Sequence, residues 1–163
     1  KNDEKWGEFK TGGCLGYPSA ILLFSIIDSI GSYFRSNINF IINIDDKKES
    51  IDSDGWQHFK ILNSKYFKQH LSKIQIQTIY KKFRSLLTHN SILGKNSIMI
   101  MENEDLNNGI KDQAFILGKN DKGEPVYLIS IKELWNLCKI AIEEFKKDID
   151  MIVPNSKQGK KFI

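Results

Sequence analysis

The sequence predicts a mainly α protein: an up-and-down four-helix bundle with a small antiparallel β-hairpin inserted before the last helix. Four stretches, 18–34, 56–71, 74–90 and 131–149, place apolar residues at three- and four-residue intervals, as helices with one buried face do. Between the last two the pattern changes to short strand-like runs around the turn Asn120-Asp121-Lys122-Gly123. Short connections favour up-and-down packing of the helices.

At 163 residues, 40% hydrophobic and 27% charged, the chain is long enough to bury a core without metals or disulfides, and its composition matches soluble globular proteins. A single domain is expected over 1–163: a lead-in at 1–17, helices at 18–91, the hairpin insertion at 92–130, a C-terminal helix at 131–151 and a basic tail at 152–163. The net charge of +4 permits a nucleic-acid partner without demanding one. Lysine outnumbers arginine 22 to 2, which fits an AT-rich coding background, so lysine content alone is no RNA signal and each arginine stands out. Cys14 and Cys138 are far apart in sequence and only two in number, which points to reduced thiols and a cytoplasmic location. The greasiest run, Ala20 to Ile30, is too short to span a bilayer and contains Asp28, so no membrane segment is expected. The chain starts without Met, so a native amino terminus upstream is expected.

Taken in order, 1–17 is polar and glycine-rich and reads as a loop. Pro18 suits a first helical turn, and helix one is expected from Pro18 to Phe34, with Ser25, Asp28, Ser29 and Ser32 as its polar stripe. A carboxylate in so apolar a helix needs a partner. Phe40-Ile41-Ile42 reads as a short strand or a buried plug, and Asp45 to Asp54 as a charged loop. Trp56 to Leu71 reads as a second amphipathic helix, with His58 and His70 on its surface or rim, pairing antiparallel with the next. Ile76, Ile79, Tyr80, Phe83, Leu86 and Leu87 give the third helix its stripe. Strands are expected at 98–101, 114–119 and 125–130, the last two forming the hairpin. Ser130 and Glu133 make a capping box for the last helix, whose face runs from Ile131 to Ile149. The tail from Val153 is expected to fray.

One spacing in the third helix reads as chemistry, Arg84 followed five residues later by His89. Chance gives about 0.1 such pairs in a chain of this composition, so the spacing gains weight mainly from its place at the end of a buried helix. On a regular helix five residues turn through roughly 500°, leaving the two side chains about 140° apart. Convergence therefore requires a break near Leu87 or Thr88, where Thr88, His89, Asn90 and Ser91 are weak helix formers. No metal or cofactor is expected. The histidines and cysteines match no zinc spacing, and the Asp52–Gly55 loop lacks the glutamate of a calcium loop.

The segment Arg84-Ser85-…-His89 resembles the signature of the HEPN superfamily, small and often dimeric helical bundles, many of them metal-independent ribonucleases. The greasy first helix, aromatic-rich second segment and motif-bearing third extend the resemblance over 18–91. Ser85 stands where members more often carry Asn, Asp or His, and no glutamate lies just upstream of Arg84. The resemblance implies an endoribonuclease in which His89 transfers protons during attack by the 2′-hydroxyl and Arg84 stabilises the crowded phosphorane. It implies a homodimer that brings two motifs together, an RNA substrate, and a defence or toxin setting with an antitoxin or other partner protein. Asp28 would orient one of the pair, Ser85, Tyr80 and Asn90 would support it, and Lys81 and Lys82 would contact RNA. The alternative is a non-catalytic helical module binding a protein or nucleotide, in which Arg84 caps its helix or pairs with Asp28 and His89 is a turn residue.

Overall fold

A computed structural model describes residues 16–90, 93–100, 113–157 and 159–161. Helix α1, Gly16–Tyr33, buries Ala20, Leu23, Phe24, Ile27 and Ile30, close to the predicted helix and face. The chain then turns sharply, with Ser36 in the left-handed region at φ 60°.

The charged loop expected after it contains a hairpin. Strands β1 (Ile42–Ile44) and β2 (Lys47–Glu49) pair antiparallel across Asp45 and Asp46, at φ 51° and 59°. Two consecutive left-handed residues are what a type I′ turn needs, and aspartate tolerates them. The strand was partly hidden because Lys47-Lys48-Glu49 carries no apolar alternation.

The predicted second helix is not an α-helix. Gly55–Asn63 forms a 3-10 segment in which five consecutive residues, His58 to Leu62, are buried. A one-sided helix cannot bury five residues in a row; this segment threads the core instead. Asn63 ends it: its side-chain amide donates to the Leu71 carbonyl and its side-chain oxygen accepts from the Leu71 N–H, clasping the following turn.

The third helix also differs from expectation. It begins at α2, Lys73–Ile79, under a full Ser72–Gln75 capping box, widens into a π segment over Tyr80–Ser85, and ends as α3, Leu86–Asn90. The expected break near Leu87 or Thr88 is absent; Leu87 is buried inside a helical turn.

Strands β3 (Ser97–Ile100), β4 (Phe115–Lys119) and β5 (Pro125–Ser130) make a three-stranded sheet in the order β3-β5-β4. The predicted β4–β5 hairpin is present, and β3 adds parallel to β5. Helix α4, Ile131–Lys146, starts at Ser130, whose hydroxyl accepts from the Glu133 N–H. It stops short of the predicted end, and a separate α5, Ile149–Asn155, follows. Where fraying was expected, a short 3-10 turn, Gly159–Lys161, packs back: a Cβ on Gly159 would sit 1.7 Å from the Val153 carbonyl oxygen.

The fold is therefore not a four-helix bundle. Five α-helices and two sheets, one two-stranded and one mixed three-stranded, share a core among the described residues. The lead-in to residue 15, Cys14, Ser91 and the connection 101–112 lie outside the described residues. No helix among the described residues is long and apolar enough to cross a membrane.

Candidate functional site

The polar stripe of α1 is where charged side chains converge. Asp28 has neighbours from two other elements. One oxygen lies 2.7 Å from Nδ1 of His58, in the 3-10 segment, and the other accepts from Nη2 of Arg84, in the π segment, at 2.5 Å. The Asp28 carboxyl is held below its ordinary value: burial alone would raise it, but the His58 hydrogen bond and the Arg84 and His58 charges outweigh that. An ionised carboxylate only accepts, so Nδ1 of His58 carries the proton between them.

Close approach of backbone makes the contact. A Cβ on Gly31, one turn after Asp28, would sit 2.2 Å from the His58 carbonyl oxygen. Glycine there lets the 3-10 segment lie directly on α1. On its far side Nε2 of His58 is buried without a hydrogen bond, 3.5 Å from an Asp54 oxygen, and Asp54 is ion-paired with Arg35. The alternating row Arg35–Asp54–His58–Asp28–Arg84 thus joins both arginines of the chain.

Arg84, Asp28 and His58 line an open cleft of 330 Å³ with Ser25, Ser29 and Ser32. The Arg84 guanidinium carbon lies 5.6 Å from the centre of the Tyr80 ring, which meets Phe59 edge-on at 5.3 Å. Tyr80 therefore supports Arg84 and packs against the core at once. A guanidinium has five donors and Asp28 engages one nitrogen, so the group retains donors for an anion in the cleft.

The expected Arg84–His89 pair is not formed within one chain. His89 is exposed in the last turn of α3, has no hydrogen-bond or ion-pair partner among the described residues, and does not line the cleft. Helix continues through Leu87 and Thr88, so nothing folds the imidazole back towards the guanidinium. Asn90 is exposed, and Ser85 is half-buried outside the cleft lining. Of the two lysines expected at RNA, Lys81 is exposed, whereas Lys82 is engaged elsewhere: its ammonium donates to the Lys95 carbonyl at 2.8 Å and lies 4.6 Å from the Tyr127 ring centre.

His58 is the site residue that sequence reasoning misplaced, as a surface or rim residue. A usable signal was the run His58 to Leu62, which leaves no residue for solvent if the segment is buried; His58 and Lys60 then both need partners. Lys60 finds Glu49 at 2.9 Å and the Ser50 carbonyl at 2.6 Å. His70, by contrast, is exposed, as expected. No group of three or more His, Cys, Asp or Glu among the described residues is placed to hold a metal ion. The chain matches no protein-family model, no curated protein and no solved structure.

Proposed function

We propose that the chain is a metal-independent endoribonuclease of HEPN-like type, in which Arg84 binds the scissile phosphate and His89 transfers protons. The observation that carries this is the presentation of Arg84, fixed by Asp28 in an open cleft, on the same helical run as an exposed imidazole that has no partner among the described residues. His89 lies outside its own chain's cleft, so the active unit in this reading is a homodimer whose two-fold axis brings both clefts and both His89 imidazoles to one phosphodiester. His89 of one copy removes the 2′-hydroxyl proton as that oxygen bonds to phosphorus. The 5′-oxygen leaves with a proton from the second imidazole, giving a 2′,3′-cyclic phosphate and a 5′-hydroxyl. Arg84 donors outside the Asp28 contact neutralise the charge that gathers on the phosphorane. The defence or toxin setting and an antitoxin-like partner follow from the resemblance alone.

A second reading is favoured by the separation of Arg84 from His89 in one chain: a module that binds a protein or nucleotide through Arg84 without cleaving. Incubating the protein with RNA in EDTA decides between them. The nuclease reading expects cyclic-phosphate ends, a dimer by analytical ultracentrifugation, and a loss of rate of about a hundredfold or more in His89→Ala with its melting temperature unchanged. Binding without cleavage would support the module, and undiminished cleavage by His89→Ala would remove the imidazole from the mechanism.

A further inference from the structure

We infer that the concavity between the end of α1 and α5 is a second subsite, one that holds the backbone of single-stranded RNA. The choice of RNA as the polyanion rests on the proposed function; the site itself rests on separate residues. Its volume is 650 Å³, with no carboxylate in the described lining; its cations are Lys157, Lys160 and Arg35, the last already ion-paired with Asp54. Five lysines elsewhere are ion-paired, Lys60 and Lys73 with Glu49, Lys65 with Asp148, Lys146 with Glu143 and Lys147 with Glu144. Others, such as Lys119 and Lys122, are exposed without an ion pair among the described residues but do not line this concavity. Lys157 and Lys160 are exposed and have no ion-pair partner among the described residues. Two such cations in a concavity with no carboxylate in its described lining attract a polyanion and release its counterions on binding.

Two side chains narrow the class. Ile38 and Met151 are 83% and 64% exposed and line the same concavity. Exposed apolar side chains beside cations give the bases of a single strand a surface to cover, which a duplex, keeping its bases inside the stack, cannot use. The hollow shape disfavours a flat membrane surface. Ser32 lines the Arg84 cleft and the next residue, Tyr33, lines this concavity, so both sites draw on the end of α1.

The test is fluorescence anisotropy with a labelled 12-nucleotide RNA carrying 2′-O-methyl groups, which cannot be cleaved. Lys157→Glu with Lys160→Glu is compared with Lys119→Glu with Lys122→Glu, an equal charge change at exposed residues of the β4–β5 hairpin. The groove pair is expected to weaken binding about tenfold or more and the hairpin pair less than about threefold. The salt slope should fall by about 1.4 in the groove pair, about 0.7 for each lost phosphate contact. Equal effects from both pairs, no binding by the wild type at low salt, or tighter binding to duplex or to anionic vesicles would overturn the subsite. Binding that responds to the groove pair without RNA cleavage would leave the subsite standing and remove the nuclease. Cleavage together with indifference to the groove pair would do the reverse.

Discussion

Asp28 is where the chemistry of single residues decides most. It is one carboxylate shared by an imidazole and a guanidinium, and its depressed pKa ties those bonds to pH. The stabilisation is fully present above the ordinary value of 3.8 and is lost as pH falls through the lowered folded-state value. Asp28→Asn keeps the shape and removes the charge. It is expected to cost about 2 kcal/mol at neutral pH, toward the middle of the range for hydrogen bonds to charged groups because the cleft is open to water. Urea unfolding should show a constant gap between wild type and variant from pH 7 down to about 4, narrowing only as pH falls further below the ordinary value of 3.8; a gap that stays unchanged below pH 3 would mean that the carboxylate's ionisation is not what matters. The Asp28–Arg84 pair was legible in sequence, because a lone carboxylate on an apolar helix needs a cation and arginines are scarce. His58 was not, because its burial is created by a contact between elements far apart in the chain.

At the level of elements, that contact is α1 against the 3-10 segment, and Gly31 sets its closeness. Gly31→Ala drives a methyl into the His58 backbone, which has no flexible end to move aside. The expected cost is at least about 2 kcal/mol, as His58 and Asp28 part. Gly118→Ala in β4, where a Cβ meets nothing within 4 Å, is the control and should change stability by less than roughly 0.5 kcal/mol. Denaturant midpoints for the two variants test this; equal midpoints would show that the close approach is not maintained in solution. Helix α1, the β4–β5 hairpin and the start of α4 were readable because each carries its own local signal: a stripe, a turn or a cap. The 3-10 segment was misread because its spacing resembles an α-helix when neighbouring residues are also buried. The π segment leaves no mark in the stripe, since Ile76, Ile79, Phe83 and Leu87 keep α-like intervals.

At the scale of the whole molecule, one core collects side chains from α1, β1, the 3-10 segment, α2 to α3, the larger sheet and α4. The sequence marked most of these residues as apolar faces but could not say that β3 would run parallel to β5, a pairing that depends on where the rest of the chain lies. Cys138 reports on whether that core opens as a unit. It is buried on α4 with its sulfur 3.6 Å from the Leu23 carbonyl of α1, and burial pushes its thiol up to about 12. Both access and ionisation therefore block attack, because the thiolate is the reactive form. In a Cys14→Ser background, Ellman's reagent at pH 8 should find no thiol in the folded protein. In rising urea the thiol should appear with the same midpoint as the loss of far-ultraviolet circular dichroism. Fast labelling in native buffer, with the dichroism unchanged, would mean that α4 leaves α1 on its own and that the core is two cores.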